Sequence, residues 1–73
     1  MSIALKITEI GNHCVLIEQD KAGVLSVQDL VKYGENWTID KHCEYSSDEL
    51  KKAKATYNRY KRQAKKEIEE MEV

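Results

Sequence analysis

The sequence predicts an α+β domain: a small antiparallel sheet in ββαβ order, with a long amphipathic C-terminal helix packed across one face. Three observations carry that expectation. Apolar and polar residues alternate with period two in "IALKITEI" and again in "NWTIDKHCEY". A Ser-x-x-Glu pattern at residues 46–49 opens a stretch that runs to the last residue without Gly or Pro. In that stretch the apolar residues recur every three or four positions, the helical period.

Taken in order, Ile3, Leu5 and Ile7 alternate with Ala4, Lys6 and Thr8, which reads as a strand. Gly11-Asn12 follows as a two-residue hairpin signal, because Gly accepts the positive φ such turns require. "HCVLIEQ" is the second strand, and its run Cys14, Val15, Leu16, Ile17 implies apolar contact on both faces. "DKAG" is the next turn. In "SVQDLVKYG" the period changes: Val27, Leu30 and Val31 sit at helical spacing, Ser26 can cap the start, and Asp29 suits the positive end of the dipole. Gly34 is placed to end such a helix in a left-handed conformation. The expectation is a short helix over 27–33, with a third strand over 24–27 as the competing reading because Val24-Leu25 is β-friendly. "NWTIDKHCEY" then puts Trp37, Ile39, Cys43 and Tyr45 on one strand face, interrupted by Lys41, with Trp37 read as core beneath the long helix.

Residues 47–72 form that helix, headed by the capping pattern and built largely from Ala, Lys, Arg, Gln and Glu, all strong helix formers. Nothing marks a linker, a repeat or a second domain. The chain reads as one domain over 1–73: a sheet with the short helix 27–33 in residues 1–45, then the basic helix over 47–72.

The net charge of −1 hides a strong segregation. Residues 1–49 carry four Lys against nine acids, residues 50–66 carry eight Lys or Arg and no acid, and residues 67–73 carry four Glu. Placed at about 100° per residue, Leu50, Ala53, Tyr57, Tyr60, Ala64, Ile68 and Met71 fall within an arc of roughly 80°. The eight bases occupy a separate arc of roughly 180°. The helix therefore has a narrow apolar seam and a continuous cationic flank. Acids at its C-terminal end oppose the dipole, so the last turn is expected to fray. A helix of about 25 residues spans about 38 Å, longer than the roughly 29 Å diameter of a compact chain of this length. Packing on the sheet is thus expected over 50–60, with Ala64, Ile68 and Met71 overhanging and in want of a partner.

These features point to a small non-enzymatic binding protein that modulates or inhibits a larger macromolecular partner through its basic C-terminal helix. In size and style it is like a phage-type inhibitor, an antitoxin or an adaptor. The expected contact residues are Lys51, Lys54, Arg59, Lys61, Arg62, Lys65, Lys66, Ile68 and Met71. The partner is an acidic protein surface, met by charge steering and held by the overhanging seam. The alternative partner is nucleic acid, with RNA or single-stranded DNA preferred, bound by the same flank through phosphate neutralisation. Tyr57 and Tyr60 lie in the seam, which makes them core rather than platforms for base stacking. Lys-rich exposed helix faces also commonly serve solubility alone. A homodimer through the seam is compatible with either partner, since Ala53 and Ala64 permit close helix approach, although Glu67 interrupts a strict heptad.

No catalytic residues, cofactor or metal site are expected. His13-Cys14 and His42-Cys43 supply zinc-type donors, but the pairs lie far apart and adjacent strand residues point to opposite faces. Both cysteines are read as reduced, buried thiols facing the core, which sends His13 and His42 to solvent. The first ten residues lack the basic region and long apolar stretch of a secretory signal, and no apolar run approaches the roughly 18 residues of a membrane span. The expected compartment is the cytoplasm, without membrane attachment.

Overall fold

The computed structural model describes residues 2–71 and consists of four strands followed by one helix. The strands are β1 (Ile3–Ile10), β2 (His13–Gln19), β3 (Leu25–Tyr33) and β4 (Asn36–Tyr45), and the helix is α1 (Leu50–Met71). The strands form one antiparallel sheet in the order β1-β2-β3-β4, each joined to the next by a short turn. Gly11 and Gly34 open the two-residue turns with φ of 56° and 64°, the conformation a II′-type hairpin asks of its first central residue.

The α+β class holds, but the order is ββββα, not ββαβα. The short helix expected over 27–33 is instead strand β3. Along it Leu25, Val27, Asp29 and Val31 are buried and the residues between them are half-buried, which is period two. The alternation is masked in the sequence because one buried position is a carboxylate and one position on the other face is Leu30. A left-handed Gly34 ends a helix or opens a hairpin equally well, so it could not arbitrate.

α1 crosses the middle of the sheet. Val15 and Ile17 of β2, Leu25 and Val27 of β3, and Ala53, Tyr57 and Tyr60 of α1 form the core, with Tyr45 packed against it. A helix about 10 Å wide covers about half of a four-stranded sheet about 19 Å wide, so the edge strands stay open. Tyr57 hydroxyl also hydrogen-bonds Thr8 of β1, and Tyr45 hydroxyl lies 2.5 Å from Thr56 Oγ1 of α1, tying the helix to both edges.

Both edge strands carry a bulge, and each reverses the phase of the alternation. In β1, Ala4 pairs with Glu18 and Lys6 with Ile17, leaving Leu5 extra. In β4, Lys41 pairs with Asp29 and Ile39 with Leu30, leaving Asp40 extra. Lys41, Cys43 and Tyr45 therefore share the helix-side face, whereas Trp37 and Ile39 share the opposite, open face. Trp37 is thus not core beneath the helix but exposed on the far side of the sheet.

The expected overhang is also absent where it was expected to begin. Ala64 is fully buried, and Ile68 is half-buried against the β1–β2 turn, where a Cβ on Gly11 would stand 2.5 Å from Ile68 Cδ1. A diameter of roughly 29 Å holds only for a spherical domain. Strands of 8–10 residues run about 27–34 Å, the same length as a 22-residue helix, and the molecule is elongated at 42 × 25 × 15 Å. The side chain of Met71 lies outside the described residues.

The helix start also differs from a simple capping box. Ala53 N–H donates to Glu49 carbonyl at 3.0 Å, which makes Glu49 the N-cap, and Glu49 N–H closes the preceding turn on Ser46 carbonyl at 2.9 Å. The Glu49 carboxylate accepts from Ser46 N–H at 3.1 Å, from Ser46 Oγ at 2.8 Å and from Lys52 Nζ at 3.0 Å. The Ser46 backbone donor, then the Lys52 ammonium, then the Ser46 hydroxyl lower its pKa from 4.5 to about 2. A depressed folded-state value means the tie is fully present above the ordinary value and is lost as pH falls through the folded one. The Glu49 carboxyl and Ser46 amide resonances are expected to titrate near pH 2 rather than 4.5. Glu49→Gln is expected to abolish the Ser46 amide transition, and a midpoint near the ordinary value would contradict the bonded geometry.

Candidate functional site

The cationic flank begins with helix geometry. Because Ala53, Tyr57, Tyr60 and Ala64 are anchored in or beside the core, the remaining positions of α1 have one fixed orientation. Lys51, Lys52, Lys54, Arg59, Arg62, Lys65 and Lys66 are exposed, and Lys61 is half-buried. Lys61 Nζ lies 5.1 Å from the centre of the Tyr57 ring and the Arg59 guanidinium 5.9 Å from that of Tyr60, so their stems fold over the tyrosine rims. Among the described residues, Lys52 with Glu49 is the only ion pair within 4.0 Å that the eight bases make. The flank is therefore a solvated row of charge about 23 Å long, from Lys51 to Lys66, that the chain itself does not neutralise.

The buried arc of α1 is shifted from the sequence expectation. Thr56 is buried, and Leu50, expected in the seam, is exposed. The shift brings Glu67 over the sheet, where its carboxylate meets His13 Nε2 at 2.8 Å. The other ring nitrogen, Nδ1, lies 3.0 and 3.2 Å from the two carboxylate oxygens of Asp29. Lys41 Nζ approaches Asp29 at 3.7 Å and Asp40 at 3.5 Å. His13 and Asp29 are both buried. Carboxylates only accept, so Nδ1–H donates to Asp29, while the Nε2–Glu67 contact stands at ion-pair distance. His13, Asp29, Lys41 and Glu67 thus meet beneath the helix, and Glu67 links the C-terminal half of α1 to the sheet.

His13, expected in solvent, lies buried under the helix; Cys14 is buried as expected, but the two have exchanged faces and Cys14 lies on the one turned away from α1. Pairing register explains the exchange, since His13 stands opposite Val31 on the helix side and Cys14 opposite Leu30 on the other. The four residues of the two His-Cys pairs divide evenly, with His13 and Cys43 on the helix side and Cys14 and His42 on the open face. They do not converge, and among the described residues no three His, Cys, Asp or Glu side chains form a metal-binding group. Both thiols are free; burial first, then the charges of Glu9 and Asp29, raises the Cys14 pKa and keeps it protonated and unreactive. His42 Nε2 lies 2.8 Å from Ser26 Oγ on the open face, and Gln28 Nε2 donates to the same hydroxyl at 3.2 Å.

The sequence named the bases but missed His13, Asp29 and Glu67 as a unit. Glu67, beside the seam where a strict heptad wants an apolar residue, was the one visible anomaly; its partner was not legible because it lies on another element. The second copy expected on the seam finds it occupied from Ala53 to Ala64 by the chain's own sheet. Among the described residues no helix is long and apolar enough to cross a membrane. The chain matches no protein-family model, no curated protein and no solved structure.

Proposed function

We propose that this is a small non-enzymatic binding protein that engages an acidic surface of a larger protein through the outer flank of α1, and modulates or inhibits that partner by occupying the surface. The observation that carries the reading is the flank itself: eight bases held on one rigid helix, with a single intrachain ion pair among the described residues. Folding gains little from charge so placed, since exposed bases away from the last turn add almost nothing to helix stability. Acids bracket the flank, with Asp48 and Glu49 before it and Glu67, Glu69 and Glu70 after it. A polyanion running along the helix meets repulsion at both ends, whereas a protein surface can present acids in the middle and bases at the rim. The burial of Tyr57 and Tyr60 also leaves the flank itself without the aromatic platforms that single-stranded nucleic acid uses.

The test is the variant Arg59→Ala, Lys61→Ala, Arg62→Ala, Lys65→Ala, Lys66→Ala. It is expected to keep its fold, since exposed substitutions usually change stability by no more than about 0.5 kcal/mol each. It is also expected to lose the partner that the unmodified chain retains from its native cell. Retention of the same partner by the variant would sink the reading. Titration with mixed RNA and DNA oligomers across a salt series separates the other class. Tight binding with a steep salt dependence assigns the flank to phosphates instead.

A further inference from the structure

The sheet face turned away from α1 is not the polar face that a two-layer domain normally turns to water. Pairing register places Ile7 beside Leu16, Cys14 beside Leu30, Leu30 beside Ile39, and Lys32 beside Trp37 on that face. Ile7 is 61% exposed, Ile39 58% and Trp37 43%, and they lie on opposite edge strands, so the apolar band spans the whole sheet. At the same level, beneath the helix, sit His13, Asp29 and Lys41. This end of the sheet is polar inside and apolar outside. The two bulges help to make it so, because each reverses the alternation that would otherwise put Ile3 with Ile7, and Trp37 and Ile39 with Tyr45, on one face.

We propose that the open face is covered by a second copy of the chain, the two sheets packing face to face as an isologous dimer with both helices outward. The area fits. Four strands at about 4.8 Å and about eight residues at about 3.4 Å give the whole face a footprint near 500 Å², hence up to about 1,000 Å² for two copies, where specific interfaces begin, with the apolar band at one end and Glu18, Ser26, His42 and Glu44 as a polar rim at the other. Face-to-face sheets pack about 10 Å apart with their inner side chains interdigitated, and here Ile7, Ile39 and Trp37 project from the two edge strands while Cys14 and Leu16 between them are already buried. The edges are poor alternatives: both are bulged, and Lys6 and Asp40 sit at the irregularities, the devices that blunt edge-to-edge pairing. The chain also needs the area, since its core cluster is seven residues and domains this small commonly add burial by association. The dimer leaves both basic flanks exposed on opposite sides, so its failure would leave the reading of the flank standing.

Sedimentation equilibrium of the full chain tests it. At protein concentrations on the order of 100 µM, above the micromolar range typical of small interfaces, the mass is expected to be about 17 kDa, twice the 8.5 kDa of one chain. Ile7→Asp and Ile39→Asp each change a residue that the single chain leaves in solvent, and each is expected to weaken dimerisation by about 30-fold or more. Dilution of the unmodified chain supplies a readout that needs no variant to fold: emission from Trp37, the sole tryptophan, is expected to shift to the red as the dimer dissociates. A monomeric unmodified chain at that concentration, a dimer indifferent to both substitutions, or a dimer that dissociates without a change in Trp37 emission overturns the proposal.

Discussion

Replacing His13 by Ala is expected to cost about 3–5 kcal/mol, because it leaves Asp29 as a buried charge without its main partner. Among the described residues the imidazole is the only group that reaches both carboxylates; Lys41 stands 3.7 Å from Asp29 and is partly in solvent. A chain of this length has roughly 4–11 kcal/mol of total stability, so the loss consumes a large share of it. Urea denaturation of the variant beside the unmodified chain measures the effect. The paired variant His13→Leu, Asp29→Leu is expected to recover to within about 1 kcal/mol of the original or to exceed it, since well-packed apolar residues commonly replace buried ion pairs without loss. Glu67→Gln is expected to cost under about 1 kcal/mol, because that carboxylate is 53% exposed. A single His13 substitution costing less than about 1 kcal/mol would show that the cluster contributes little to the fold.

Tyr57→Ala carries the next largest effect, about 3–5 kcal/mol, as expected for removing a large ring from a packed core. Tyr57→Phe keeps the ring and removes only the hydroxyl bonded to Thr8, at a cost of about 0.5–1.5 kcal/mol. The contrast with its neighbours is the informative part. Lys54, Arg62 and Lys65 lie on the same helix, are exposed, and are expected to change stability by about 0.5 kcal/mol or less when replaced by Ala. Equal costs for Tyr57 and those bases would mean that the seam is not the surface that holds the helix to the sheet.

Strands β1, β2 and β4 and the long helix were readable because each is a local pattern: period two, a glycine-led turn, or uninterrupted helix formers. β3 was not. Its inward positions include Asp29 and its outward ones include Leu30, so polarity no longer reported the face, and Val27, Leu30 and Val31 fell by chance on a helical spacing. The faces of β1 and β4 were half right for a related reason. A bulge is a relation between two strands, and nothing in "IALKITEI" or "NWTIDKHCEY" marks Leu5 or Asp40 as the residue that goes unpaired. For the candidate site, the bases were legible because charge on an uninterrupted helix sorts by angle alone. The anchor beneath them was not, because His13, Asp29, Lys41 and Glu67 come from four different elements.

By itself the sequence determined the α+β class, the hairpin at Gly11-Asn12, the long C-terminal helix, expected from residue 47 and beginning at Leu50, and the division of that helix into a seam and a cationic flank. Those features depend on neighbours within a few residues, where backbone preference and helical angle are sufficient. Only the tertiary structure decided that the sheet has four strands before the helix, and that His13 lies inside while Trp37 lies out. It alone also decided that Ala64 and Ile68 rest on the domain. Each of those outcomes depends on register between distant segments, and a shift of one residue in register turns every following side chain to the other face.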